Sequence, residues 1–310
     1  MPTTPLPMNR LDSLQMFVRV AELSSFTQAA DRLSLPKARV STAVQQLESQ
    51  LGTRLLHRTT RKVQLTQDGQ AFYERCKDVL ADIDELQAMF QQGVQSLRGR
   101  LRVDTPTLIA RDQLIPRLPE FLAAHPQLDI ELSSTDRRVD LVREGFDCVL
   151  RVGSLVDSGL VARPLGRLRQ INCASPAYLK RHGTPHTLDD LATHRLVHYV
   201  PTLGAKSAGW EYAQPGDPEG HTRSLAMTGS LTVNSTEAYQ AACLAGLGLI
   251  QAPAAGLASL IERGLLVEVM PQCRAPSLPI SLLYANRRNL PKRVQVFMAW
   301  VTQTLVAYIG

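Results

Sequence analysis

Apolar residues recur at three- and four-residue steps through the opening part of the chain, then give way to short alternating runs. The first pattern predicts helices and the second predicts strands. Leu11, Leu14, Phe17, Val18 and Ala21 give one apolar face to a helix over Met8 to Leu23, which Ser24-Ser25 stop. A second helix is expected from about Thr27, a good N-cap residue. Ala29 and Ala30 in it are small enough to let another helix approach closely. Ser34-Leu35 then makes a turn. Pro36 fits a first helical position, where its missing N–H costs nothing. The third helix runs to about Leu51, with Gly52 as its stop. Val40, Val44, Leu47 and Leu51 face the core, and the opposite face carries Lys37, Ala38, Arg39, Ser41, Thr42, Gln45 and Gln46. Arg54, His57, Arg58, Arg61 and Lys62 follow, in a segment ending Val63 to Thr66 that reads as a two-stranded wing.

A different period begins at Gln67. Phe72, Cys76, Val79, Ile83, Leu86 and Phe90 repeat every seven residues, the seam of a helix that pairs with a second copy. Residues 67–93 are expected to span about 40 Å at the helical rise. This reads as a dimerising linker, against the plainer reading of an ordinary amphipathic core helix, and Gly93 and Gly99 end it and give a hinge.

From Arg100 strands alternate with helices, the pattern of a parallel α/β sheet. Strands are expected at Leu101–Val103, Leu128–Leu132, Cys148–Leu150, Leu160–Ala162, Gln170–Cys173, Leu196–Val200, Leu231–Val233, Leu249-Ile250 and Leu278–Tyr284. Helices are expected from Thr105 to Phe121, Val139 to Glu144, Pro176 to His182, Ser235 to Ala245 and Val294 to Tyr308. The longest uncharged run, Ala238 to Ile261, is broken by Gly246, Gly248, Pro253 and Gly256, so it reads as helix, turn and strand rather than a membrane span.

Charge sharpens the first part. Residues 1–66 carry nine Lys/Arg against four Asp/Glu, whereas residues 67–97 carry two against six. The excess positive charge lies where phosphates would be met. A helix-turn-helix with a basic face and wing is built to put one helix into the major groove of DNA. The candidate DNA-contacting residues are Thr27, Lys37, Ala38, Arg39, Ser41, Thr42, Gln45, Arg54, Arg58, Arg61 and Lys62. The five cysteines are scattered without a CxxC pair, as expected of reduced cytoplasmic thiols. Met1 to Asn9 lacks the apolar run of a signal peptide.

Residues 9–69 resemble the winged helix-turn-helix of the LysR-type transcriptional regulators. The motifs that carry this are Phe17-Val18, Ser25-Phe26-Thr27, Ala29-Ala30, Leu33, Val40-Ser41, Val44, Leu47-Glu48, Leu51-Gly52, Leu55-Leu56, Arg58 and Leu65-Thr66 with Gly69. The pattern is similar to the branch that includes the regulator CrgA. It departs from the family at Pro36-Lys37, where a Ser-Gln pair is usual. In the second half, Phe146 to Gly153 and Cys173 to Leu179 match recurrent family segments less closely. The resemblance implies a fold of winged-helix head, linker helix and two-lobe α/β effector domain like a periplasmic binding protein. The domains expected are 8–66, 67–98 and 99–308, with lobe I at about 99–168 and 274–308 and lobe II at about 169–273. It also implies inverted-repeat DNA operators, a dimer or tetramer, a small-molecule effector and, for an activator, contact with RNA polymerase.

Ligands of open α/β sheets sit beyond strand ends, near helix N-termini. That rule selects Thr105, Thr107, Arg151, Gly153, Asn234 and Ser235, with His198 and Trp210 as candidate cleft walls. The same residues also fit a plainer reading, in which Thr105, Thr107 and Ser235 cap helices and Arg151 is an internal ion-pair partner. His182/His186 and His194/His198 share a His-x3-His spacing but not one helix, so no metal is expected. No cofactor motif or converging catalytic set occurs, so an enzyme is not expected. Two rival classes remain: a nucleoid-type DNA protein without a ligand, and a solute-binding module or enzyme with an incidental helical head.

Overall fold

In the computed structural model, residues 9–58, 63–88, 97–155, 159–213, 222–285 and 290–309 are described. The chain parts into two compact units, one running to Arg100 with Gln127–Asp129, the other holding the remainder.

The first unit begins with α1 (Arg10–Leu23), α2 (Phe26–Leu33) and α3 (Lys37–Leu51). Asn9 caps α1, its side chain accepting from the Leu11 amide at 3.3 Å. The cap of α2 is Ser25, which accepts from the Gln28 amide at 3.3 Å. Thr27 is therefore not the expected cap but an exposed residue of the first turn. Pro36 likewise stands just before α3 rather than inside it. Met16, Phe17, Val20, Ala29, Ala30, Val40, Ala43, Val44 and Leu47 form the core of the unit. Leu51 departs from expectation and is 44 % exposed, because the last turn of α3 outruns the helices it packs on. It lines a shallow groove of about 350 Å³ with Leu55, Ala71, Phe72 and Arg75.

The wing is β1 (Leu56–Arg58) paired antiparallel with β2 (Val63–Leu65). Next comes α4 (Gln67–Ala88). The early part of its seven-residue seam is spent inside the unit. Cys76 is 3 % exposed within the core, and the Phe72 ring lies 5.5 Å from Phe17 of α1. Those two positions do not offer the free dimer face expected of them, because α1 already covers them. Val79 is 45 % exposed and Ile83 half-buried. The Leu86 side chain, Phe90 and Gly93 lie outside the described residues.

The second unit is built on a mixed sheet. β3 (Arg98–Thr105) takes Gly99 into a strand, where a hinge was expected. The expected helix from Thr105 to Phe121 is instead a series of short turns: α5 (Thr107–Ile109), a π turn over Ala110–Leu114, a 3-10 turn over Ile115–Arg117 and α6 (Leu118–Ala124). Pro116 and Pro119 remove the amides that a continuous ladder needs. β4 (Gln127–Ser134), α7 (Leu141–Glu144), β5 (Cys148–Val152) and β6 (Leu160–Leu168) follow. After the second lobe the chain returns as β14 (Leu278–Ala285) and α11 (Lys292–Thr304). The strand order is β4-β3-β5-β14-β6. β3 and β5 are parallel, as alternation suggests, but β14 runs antiparallel to both neighbours.

Lobe II contains β7 (Gln170–Ala174), α8 (Pro176–His182), β8 (His198–Tyr199), β9 (Trp210–Tyr212), β10 (Arg223–Leu225), β11 (Thr232–Val233), α9 (Thr236–Leu244), β12 (Ile250–Pro253), α10 (Ala254–Glu262) and β13 (Val267–Glu268). Its central strand β7 pairs antiparallel with both β12 and β13, against the expectation of a parallel sheet. β8 and β11 are parallel. α10 and the β9–β10 hairpin are additions to the expected elements. Pro253 was read as a breaker, but it stands at the N-cap of α10, a place proline tolerates.

Candidate nucleic-acid interface and effector cleft

The basic face of the head is held by a frame of polar contacts. One Glu48 carboxylate oxygen accepts the amides of Leu55 and Leu56 at 2.9 and 3.1 Å, tying the wing to α3. Thr66 Oγ1 donates to the Arg54 carbonyl at 2.7 Å and accepts from the Gly69 amide at 2.8 Å. At Gly69 a Cβ would stand 1.9 Å from the Leu55 carbonyl oxygen, so only glycine lets α4 approach the chain entering the wing.

On this frame α3 starts with its N-cap side chain making no bond, since Pro36 has no group to offer. Lys37, Ala38, Arg39, Thr42 and Gln45 are exposed on one face with Ser41 half-buried beside them, and Thr27 is exposed on α2. The opposite face is the buried Val40, Ala43, Val44 and Leu47. Arg54 is exposed just before the wing. The Arg58 side chain, Arg61 and Lys62 lie outside the described residues. The arrangement suits a polyanion, because helix-terminal amides and exposed cations face solvent together.

The second unit gathers its candidates less evenly. Thr105 ends β3, is 2 % exposed, and keeps its Oγ1 buried without a hydrogen-bond partner among the described residues. The Thr107 amide, at the start of α5, donates to Asp136 Oδ1 at 3.2 Å. On the facing lobe, the Thr236 amide and hydroxyl donate to Asp136 Oδ2 at 2.7 and 2.8 Å. Ser235 stands at the N-cap of α9 but makes no side-chain cap bond, and Asn234 beside it is exposed. The cap expected of Ser235 is supplied by Asp136, a residue the sequence pattern did not single out. A second tie joins the lobes where Arg111 Nη1 meets Glu237 Oε1 at 2.9 Å.

Three expected cleft residues point elsewhere. Arg151 forms an ion pair with Asp104, at 2.5 Å, and donates to the Leu150 carbonyl at 2.8 Å. Asp104 is fully buried and also accepts from Thr135 Oγ1 at 3.2 Å. This is the internal ion-pair role, and it follows from placing a carboxylate where no water can reach it. Trp210 is fully buried in the core of lobe II among Tyr178, Leu191, Leu196, Leu249 and Met270, so it is not a cleft wall. His198 bonds Ser207 Oγ at 3.0 Å, and Gly229 leaves room for its ring. Its neighbour on the strand, Tyr199, points to the other face, as alternation requires. Tyr199 packs on Tyr239 at 5.5 Å, and burial, helped by the Asp136 charge, pushes its hydroxyl up to about 12. Gly153 has φ +98° and donates its amide to the Pro279 carbonyl at 2.8 Å.

Two side groups need separate mention. Cys243 is fully buried, and burial pushes its thiol up to about 12, so it holds little thiolate for redox chemistry. His194 is buried against the Tyr178 hydroxyl at 3.2 Å, while His182 stacks on the same ring. Among the described residues no cluster of His, Cys, Asp and Glu could hold a metal ion, and no helix is long and apolar enough to cross a membrane.

Residues 11–70 match the family described as bacterial regulatory helix-turn-helix protein, lysR family, and residues 95–306 match the LysR substrate binding domain. The chain is 48 % identical over 302 residues to the HTH-type transcriptional regulator YhjC of Escherichia coli (strain K12), covering 97 % of this chain and 100 % of that one. It is 37 % identical over 297 residues to an HTH-type transcriptional repressor of Pseudomonas aeruginosa, covering 96 % and 92 %. Among solved structures, CrgA of Neisseria meningitidis, a LysR-type transcriptional regulator, superposes with a TM-score of 0.59 at 28 % identity, over 95 % of this chain and 98 % of that one.

Proposed function

The chain belongs to the LysR family of transcriptional regulators, and from that premise we propose that the exposed face of α3 reads the operator and that the cleft between the lobes takes a small carboxylate. The protein is a DNA-binding transcriptional regulator with a two-lobe effector-binding domain. The observation that carries the α3 assignment is its open N-terminus beside exposed Lys37 and Arg39. Arg39, Thr42 and Gln45 are assigned to base edges; Lys37, Ser41, Thr27, Arg54 and the wing residues Arg58, Arg61 and Lys62 to phosphates. The cleft assignment rests on the amides of Thr107 and Thr236 already converging on one carboxylate, that of Asp136.

The domain limits proposed are 8–66 for the head, 67–98 for the linker and 99–308 for the effector domain. The protein acts as a dimer or tetramer in the cytoplasm, carries out no catalysis, and meets RNA polymerase where it activates. Leu51 and Val79, exposed apolar residues of α3 and α4, support self-association through that side of the head. Sedimentation of Val79→Glu tests it: a shift to smaller species is expected, and an unchanged distribution argues against it.

The decisive experiment is genome-wide mapping of binding sites, followed by gel-shift titration on the best site and on random DNA. Arg39→Ala is expected to reduce preference for the site. Arg54→Ala is expected to weaken both DNAs alike and lower the salt slope by about one. Equal affinity of the wild type for both DNAs overturns the operator reading and favours a nucleoid-type protein.

A further inference from the structure

The effector cleft is not an empty anion site. Asp136 lies in the loop between β4 and α7 and reaches the starts of two helices at once, one from each lobe. Three donors meet its two oxygens, and two of the three come from Thr236. A carboxylate at a helix N-terminus is favoured by the free amides and by the helix dipole. Here it serves α9, whose own N-cap residue makes no side-chain bond. The loop that presents it is fixed on its far side. Arg137 meets Glu144 at 3.0 and 2.6 Å, and Asp140 accepts the Arg143 amide at 3.0 Å.

The charges around this position decide what can join it. Arg151 is matched by Asp104, Arg137 by Glu144, and Arg111 by Asp112 and Glu237. Tyr199 and Tyr239 add aromatic rings. An acidic effector would therefore bring a second negative charge beside Asp136, where Arg151, Arg137 and Arg111 each already face a carboxylate. It can bind well at these amides only by moving Asp136 away. Thr105 Oγ1, buried and unpartnered, is a further donor two residues ahead of Thr107.

We propose that Asp136 is a resident carboxylate that occupies the acid-binding position of the cleft and latches the two lobes together, and that a carboxylate effector acts by displacing it. The inference rests on the reading that the effector cleft takes a carboxylate. Displacement removes the hydrogen bonds from Thr236 to lobe I and leaves the exposed Arg111–Glu237 pair in place. The lobes then resettle around the incoming ligand. A tethered competitor is present at a high effective concentration, so the wild-type cleft binds free acids weakly.

The test is chemical rescue on the full-length protein, with sodium acetate as probe and sodium chloride and acetamide as controls. Unfolding of the effector domain is followed by near-ultraviolet circular dichroism, which sees Trp210 and Trp300. Asp136→Ala is expected to unfold at lower temperature than the wild type and to recover saturably with acetate, not with acetamide or chloride. Apparent acetate affinity should rise by about tenfold or more, since a site open a tenth of the time binds that much more weakly. Asp136→Asn, which keeps the shape and an acceptor, covers the case in which the alanine variant does not fold. It is expected to show the same rescue to a smaller degree. Equal acetate response in wild type and variants shows that Asp136 does not occupy the position and overturns the proposal. So does absence of any acetate response in a folded variant. Rescue by acetamide alone indicates a cleft that reads a neutral ligand through Asp136 and also overturns it. Operator binding is measured separately, so failure here leaves the regulator assignment standing, while a failed wild-type operator test leaves the rescue result interpretable.

Discussion

α3 in the head and α9 in the effector domain both begin without a side-chain cap from the residue that precedes them. What lies in front of each differs. The start of α3 faces solvent, with Lys37 and Arg39 exposed in its first turn. The start of α9 is closed by a carboxylate from the other lobe, at 2.7 Å. Both ends offer partial positive charge to an anion. The head leaves that attraction open to a polyanion from outside. The cleft satisfies it internally, so a ligand acts there only by exchanging with what is bound already. An effector that competes with Asp136 shifts an equilibrium between arrangements of the lobes.

The largest effect expected is at Gly69. A valine there would drive its Cβ into the Leu55 carbonyl oxygen, at a point where backbone meets backbone. Gly69→Val is expected to abolish DNA binding in gel shifts and to remove the head's unfolding transition, while the effector domain still melts cooperatively. Loss of both transitions would break the comparison, since it treats the two helix starts as independent.

Next comes Arg151→Ala. It strips the partner from a fully buried carboxylate, which costs about 3–5 kcal/mol when nothing replaces it. Chemical denaturation should show the effector domain destabilised, and Arg151→Met with Asp104→Leu should recover much of the loss. An unchanged midpoint with a lost effector response would move Arg151 back to the cleft as a cation for an acidic ligand.

A smaller change is expected on the open side. Arg39→Ala and Thr42→Ala should each cost about 1–3 kcal/mol on the preferred site and much less on random DNA. If both DNAs weaken equally, the exposed face of α3 holds phosphates and does not read bases. The smallest effect is that of pH on His194. Burial holds its imidazole below the ordinary value of 6.5, with His182 adding to the shift and Asp190 opposing it. The unfolded chain then takes up a proton on acidification that the folded chain resists. Stability is fully present above 6.5 and falls as the pH drops through that value. His194→Gln should flatten this slope in melts across that range; an unaltered slope would assign it to other groups.

The head was largely legible because its signals are local. Heptad-like spacing, Ser24-Ser25, Gly52 and the Leu65-Thr66 junction with Gly69 fix helices and turns within a few residues of themselves. The misplaced details have local causes too. Ser25 and Thr27 are both good caps, and only the backbone decides between them. Phe72 and Cys76 satisfy a seven-residue period whether they meet a partner copy or α1, and periodicity does not distinguish those faces. The cleft was legible only as strand ends. That rule selected Thr105, Thr107 and Ser235, but Asp136, which accepts from the Thr107 amide and from the amide and hydroxyl of Thr236, lies in an irregular loop with no period to mark it. His198 was chosen as a cleft wall, but its ring bonds Ser207, while its strand neighbour Tyr199 packs on the core of lobe II. For Arg151 the sequence left the cleft and ion-pair roles open, because its partner Asp104 is 47 positions earlier in the chain. Trp210 was named as a cleft wall, but a large aromatic ring serves a core equally well, and it lies in the core of lobe II.

The order β4-β3-β5-β14-β6 has a consequence for how the protein is made. β6 leaves the first lobe before lobe II is synthesised, yet its strand neighbour is β14, over a hundred residues later. During translation the edge of β5 stays unpaired until β14 emerges, while lobe II has every strand it needs. Lobe II is therefore the first part of the effector domain that can close on the ribosome, and lobe I waits for β14. A chain released early, short of Leu278, exposes the bare edge of β5 and a stranded β6. Unpaired edges of this kind invite pairing with other chains. A cell thus meets an incomplete copy as an aggregation-prone fragment, rather than as a regulator that has merely lost its tail.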